Sequence, residues 1–234
     1  SRGLGDVYKR QVIIRCGYGR DERGQDDRQW YRNVSECERL GIPFGVYLYS
    51  YAKDTDSARS EAQHVLRLIS GHNLTYPVYY DMEDDSTIGC DLTSIATTFC
   101  NTIKSAGYAV GVYASLSWWN TYLTAPCFGQ WYRWVAQYNS TCKYTGEYAI
   151  WQYSSTGRVS GISTDVDMNY LIGYPKDHGA ASSINIPDET QNIISYSAHV
   201  SDIGWMNSVS NGLIAGTVGQ SRQLEALKLN VDEN

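Results

Sequence analysis

The sequence predicts an α/β domain built on a parallel sheet, one strand short of an eight-stranded barrel, followed by a small β-rich module. Three observations predict it. Seven short Tyr- and Val-rich runs alternate with longer helix-like stretches, most of the runs are apolar on both faces, and the character of the chain changes after residue 175. Nearly continuous apolar strands separated by amphipathic stretches are the pattern of a parallel sheet covered by helices.

The strand runs are Val12–Arg15, Gly45–Tyr51, Pro77–Glu83, Ala109–Ala114, Trp134–Tyr138, Ala149–Tyr153 and Val166–Asn169. Between them, Ser57–Ser70 and Leu92–Ala106 carry apolar residues at three- and four-residue spacing and end near Gly, as helices do. Asp26-Asp27 reads as the start of a third helix before Gln29–Leu40, because acidic side chains favour a helix N-terminus. Residues 176–192 are polar and turn-rich and read as a linker. Residues 193–234 alternate again (ISYSAHV, LEALKLNV) and read as a β-rich unit with a small core. Residues 1–11 (SRGLGDVYKRQ) are basic, have no apolar run, and read as a foreign leader joined to the domain.

Composition narrows the function. The chain of 234 residues has 42% hydrophobic and 19% charged residues, a globular balance without a run long enough to span a membrane. A net charge of −6 argues against nucleic acid as partner, since phosphate binding needs a basic footprint. Aromatic surface comes as 20 Tyr and 7 Trp against 3 Phe, so most rings carry a polar handle. Such side chains suit a sugar cleft, where a ring is stacked and a hydroxyl bonded together, and they suit an ordinary Tyr-rich core as well. Six cysteines, without C-x-x-C spacing, fit either disulfides or buried thiols. The four histidines show no metal-ligand spacing, and no cofactor is expected.

The chemistry-bearing string is Asp81-Met82-Glu83-Asp84-Asp85, at the end of the third run. Strand alternation puts Asp81 and Glu83 on one face with Cα atoms ~6–7 Å apart. Glycoside hydrolysis needs an acid to protonate the leaving oxygen and a carboxylate to support the positive charge on the sugar. Two nearby carboxyls split their pKa values and supply both at one pH. Other run ends carry sugar-type residues: Tyr49 and Tyr51, Tyr113 with Trp118, Gln137 with Tyr138, and Trp151 with Gln152. The last run adds Asp167 and Asn169 on one face.

With those residues in place, residues 12–174 resemble the glycoside hydrolase family 25 lysozymes, through GYG…DD.QWYRNV, GIPFGVYLYSYA, PVYYDMED, GYAVGVYAS..WW, WVAQYN, YAIWQYSSTG and GISTDVDMNYL in that order. The resemblance implies an irregular TIM-like (β/α) barrel over 12–175 that cleaves the β-1,4 bond from N-acetylmuramic acid to N-acetylglucosamine. It implies Glu83 as general acid, Asp81 as assisting carboxylate and Asp167 as a third acidic residue. The family's opening Asp-Val-Ser strand has no counterpart here, so the barrel is expected to lack its first strand. Residues 194–231 resemble a clostridial hydrophobic repeat, with Gly204-Trp205 as its Gly-Trp pair and Trp205 as candidate wall contact. The partners implied are peptidoglycan glycan strands and, through the repeat, cell-surface components. The implied location is extracellular or cell-wall associated, although no export signal is visible. Two other functions compete: a wall-binding protein without activity, and a chitinase-like hydrolase.

Overall fold

Each Tyr/Val-rich run becomes a strand, and each amphipathic stretch between them folds as a helix. A computed structural model describes residues 11–159, 161–173, 194–206, 208–210 and 224–231. They fall into two units, with the described residues up to 173 in one and those from 194 onward in the other. The leader residues 1–10 and the 176–192 linker lie outside the described residues.

The larger unit runs β1 (Val12–Tyr18), α1 (Trp30–Leu40), β2 (Phe44–Tyr49), α2 (Thr55–Ile69), β3 (Val78–Asp81), α3 (Leu92–Ser105), β4 (Val110–Ser115), α4 (Leu116–Thr121), β5 (Tyr132–Ala136), β6 (Ile150–Gly157) and β7 (Val166–Leu171). The seven strands form one sheet in sequence order. Neighbours from β1 to β6 pair in parallel, whereas β7 returns antiparallel to β6 and so corrects the all-parallel expectation. Only residues 158–165 separate β6 from β7, and a parallel return needs a crossover of about a dozen residues or more. The third strand also ends at Asp81, so Glu83 stands two residues beyond it rather than within it.

Helix placement follows local chemistry. Asp54 and Asp91 accept the Ser57 and Ser94 amides and cap α2 and α3. Gly41, at φ 64°, ends α1 in the left-handed conformation that glycine adopts without steric cost. Asp27 accepts the Gln29 amide just ahead of α1, but that helix begins at Trp30 without an acidic residue in its first turn or a side-chain cap.

Alternation divides the side chains between two layers. Val46, Leu48, Val78, Tyr80, Val112 and Ala114 pack toward the helices, against residues such as Trp30, Leu68, Ile95 and Phe99. The opposite face carries Ile13, Tyr47, Tyr79, Tyr113, Trp134 and Ile150. That face is concave. Tyr47 on β2 and Trp134 on β5 are three strands apart, about 14 Å in a flat sheet, yet their ring centroids lie 6.2 Å apart. The sheet is therefore a curled half-barrel, with β1 and β7 as its unclosed edges. All six cysteines are free thiols, with Cys16, Cys37 and Cys100 buried.

The smaller unit is an antiparallel sheet. β8 (Ile194–Val200) is flanked on one side by β11 (Leu224–Val231) and also pairs with the short β9 (Gly204–Trp205) and β10 (Val209–Ser210). Trp205 is 55% exposed, its ring edge-on to His199, which bonds Glu225.

Candidate active site

The concave face sorts its residues by height. Its floor is aromatic: Trp134 meets Tyr47, Tyr79 and Tyr113 edge-on at 6.2, 5.2 and 4.7 Å. The Trp134 indole N–H donates to Asn169 Oδ1 at 2.8 Å, which ties β5 to β7 across the bowl. Above the floor, where the parallel strands end, stand the carboxyls. In a (β/α) barrel this is the end that gathers functional groups, because each strand there gives way to a variable loop.

Asp81 is the last residue of β3, in register with Tyr49 on β2 and Tyr113 on β4. It is 5% exposed, and its Oδ1 has no hydrogen-bond partner. Burial and the neighbouring Glu83 push its pKa well above the ordinary aspartate range; Arg15, on the same face of β1, pulls the other way. Arg15 is itself held by Asp27 at 2.6 Å. Met82 then turns into the helix-side core, its amide bonded to Tyr113 O, so the next side chain, Glu83, returns to the concave side. Glu83 is partly buried, and Oε2 accepts the Ser115 amide at 2.8 Å. Burial raises its pKa, and the Ser115 bonds only partly offset that. Asp84 turns outward, caps a 3-10 turn through the Ser86 amide and accepts the Tyr49 hydroxyl at 3.1 Å.

The expected ring of sugar-type residues is partly assembled. Tyr113 donates its hydroxyl to the buried Gln152 at 2.7 Å, and Gln152 also bonds Asp167, so β4, β6 and β7 are joined at one level. Burial raises the Asp167 pKa despite that bond. Tyr49 and Tyr51 stand together at 5.0 Å between centroids, with Tyr51 47% exposed. Tyr138 is 60% exposed at the rim.

Three of the expected residues are placed differently. Trp118 is 6% exposed in α4 and packs in the helix-side core. Trp151 lies on the opposite face of β6 from Gln152, its N–H on Gln137 O and its ring against Tyr170. The Gln137 amide oxygen is occupied by the Lys143 amide at 2.7 Å, which shapes the following loop. Residues absent from the expectation are Arg15, Tyr47, Trp134 and Ser115. Arg15 was recoverable from its alternation with Ile13, whereas the Ser115 amide has no side-chain signature. Among the described residues no group of His, Cys, Asp and Glu is arranged to hold a metal, and no helix is long and apolar enough to cross a membrane.

Known proteins resemble both units. Lysozyme M1 of Streptomyces globisporus is 28% identical over 172 residues, 64% of this chain and 56% of that protein. An autolytic lysozyme of Clostridium acetobutylicum is 29% identical over 57% of this chain and 40% of its own length. The modular autolysin LytC of Streptococcus pneumoniae, solved in complex with a synthetic peptidoglycan ligand, is 33% identical with a TM-score of 0.62, covering 68% of this chain and 40% of its own. The chain thus spans about half the length, or less, of these relatives. Residues 199–233 match the clostridial hydrophobic W repeat. Residues 12–162, which span β1 to β6 and carry the Asp81–Glu83 pair, match glycosyl hydrolases family 25, and the chain belongs to that family.

Proposed function

We propose that the chain is a peptidoglycan muramidase, hydrolysing the β-1,4 bond between N-acetylmuramic acid and N-acetylglucosamine, with Glu83 as general acid and Asp81 as assisting carboxylate. The observation that carries this reading is the pair itself: two carboxyls on the concave face, both with raised pKa, where the parallel strands end. A raised pKa keeps Glu83 protonated at a pH where an ordinary glutamate has lost its proton, as a general acid requires. The Ser115 amide fixes one carboxyl oxygen and thereby the direction in which the acid points.

In the proposed reaction Glu83 gives its proton to the glycosidic oxygen as the bond to the muramic acid C1 breaks. The pair acts with a single proton, carried by Glu83, so that Asp81 is ionised in the reacting form and supports the positive charge left on that sugar from a buried position where a negative charge is poorly screened. Water then adds at C1 and returns a proton to Glu83. Tyr113, Gln152 and Asp167 line the same level and are proposed to hold sugar hydroxyl and acetamido groups. Tyr49, Tyr51 and Tyr138 are proposed to stack or bond sugars along the rim. Trp205 is proposed as the wall contact of the repeat, and the proposed location is extracellular or at the cell wall.

Glu83→Gln keeps size and most hydrogen bonding while removing the proton. Turnover of peptidoglycan is expected to fall by at least about a hundredfold, with glycan binding nearly unchanged. Comparable turnover in that variant sinks the assignment. Wall binding without turnover is a second reading, favoured by the unclosed β1 edge and the unpartnered Oδ1 of Asp81.

A further inference from the structure

A second concavity opens beside the carboxyl pair, over the ends of β1 and β2. It encloses about 430 Å³, and its walls include Tyr18, Arg20, Gln25, Tyr51, Ser57 and Glu61. That volume lies within the range of small-molecule sites. Tyr18 and Tyr51 stand at 86° to each other with centroids 6.3 Å apart, so one ring offers a face and the other an edge. Both are partly open to solvent, at 37% and 47% exposure. Apolar faces of sugar rings pack on such tyrosines, and the Tyr18 hydroxyl is steadied by the Gly24 carbonyl at 3.4 Å.

The charge in this pocket is equally specific. Acidic residues around it are already engaged. Asp21 pairs with Arg67 at 2.6 Å, Asp26 bonds Arg67 and His64, and Asp54 accepts the Ser57 amide. The Glu61 carboxyl is fully buried and takes up the Tyr51 amide and the Ser50 and Tyr80 hydroxyls. Arg20, by contrast, is exposed, forms no ion pair with a described residue, and reaches Ser57 Oγ at 3.4 Å. Its charge acts on Asp54 from beyond ion-pair distance, so its guanidinium donors keep room for a further anion.

The loop that presents Arg20 is held in place. The buried His64 bonds Gly19 O at 3.0 Å and Asp26 Oδ1 at 2.8 Å, one ring nitrogen to each side of the loop. Gly19 has φ 64°, a left-handed backbone that favours glycine, and the end of the Gln25 side chain lies against it. A site fixed before the ligand arrives loses less entropy on binding. Tyr51 of the pocket packs on Tyr49, which stands in register with Asp81 and bonds Asp84, so one tyrosine separates the pocket wall from the carboxyl-bearing strand end.

We propose that this pocket is an acid-reading subsite, which stacks a sugar of the glycan on Tyr18 and Tyr51 and pairs a carboxylate borne by that sugar with Arg20. The proposal rests on the muramidase reading and extends it to substrate selection. Two sources offer the carboxylate: the lactyl group of a peptide-free muramic acid, or the stem peptide attached through it.

Binding by the full chain carrying Glu83→Gln, so that probes stay intact, tests this by calorimetry. Three probes separate the sources: a peptide-free muramic acid–glucosamine tetrasaccharide, the same glycan bearing stem peptides, and N-acetylchitotetraose. Adding Arg20→Met is expected to weaken an acid-bearing probe about tenfold and to leave chitotetraose unchanged, with Arg20→Lys restoring most of the loss. Loss on the peptide-free probe assigns the lactyl carboxylate, and loss on the peptide-bearing probe alone assigns the stem. Equal loss on all three, no loss on either acidic glycan, or no binding of either to the Arg20 chain overturns the proposal. Turnover by the unmutated chain is read separately: its absence with Arg20-dependent binding intact refutes the muramidase reading and spares the pocket.

Discussion

Asp81 is a residue whose burial works against the fold. Its carboxyl is almost wholly enclosed, one oxygen lacks a partner, and Glu83 lies close by. With its pKa raised, the folded state favours the protonated form. Its contribution to stability is therefore complete below the ordinary aspartate range and is lost as pH rises through the elevated value. Asp81→Asn removes the charge at constant shape. Thermal unfolding from about pH 4 to about pH 8 is expected to show a higher midpoint for the variant toward neutral pH and a flatter profile, alongside reduced turnover. An unchanged or lower midpoint at neutral pH contradicts a buried, destabilising carboxylate. The raised values also set the shape of the activity profile. Turnover should rise through the lower step of the pair, which frees one carboxylate, and decline through the upper step, which removes the acid; both steps belong to the coupled carboxyls together rather than to either one.

At the scale of elements, α2 carries more of the site than its amphipathic sequence discloses. Glu61 and His64 are both fully buried on its inner face. Glu61 fastens the chain just after β2 through the Tyr51 amide and the Ser50 hydroxyl, and reaches Tyr80 on β3. Glu61→Leu leaves those donors buried and unpaired, which is expected to cost about 3 kcal/mol or more, measured by denaturant unfolding; a loss within about 0.5 kcal/mol would show that the network is dispensable.

Strand positions were legible because a parallel strand with two covered faces must be apolar throughout, and helices because their apolar spacing is local. The reversal of β7 was not legible, since direction is set by the length of the connection and β6 runs on to Gly157, four residues past its apolar run. α4 and the burial of Trp118 were missed because Leu116–Thr121 is too short to show a helical period. The carboxyl pair was legible in Asp81-Met82-Glu83, while the role of Arg15 needed the curl of the sheet to bring its charge toward Asp81.

The whole molecule carries a half-barrel of glycosyl hydrolase family 25 and a repeat with an exposed tryptophan. At a net charge of −6, the wall attachment proposed for the repeat would rest on short-range contacts such as stacking and hydrogen bonds rather than on long-range attraction. The half-barrel keeps its floor and its carboxyl pair with both sheet edges unclosed. The central claim is that these suffice for cleavage at muramic acid. The direct test is to incubate the purified chain with peptidoglycan, reduce the products with borohydride and identify the new ends by mass spectrometry. The account predicts reduced muramic acid ends that vanish with Glu83→Gln; reduced glucosamine ends, or no new ends at all, would contradict it.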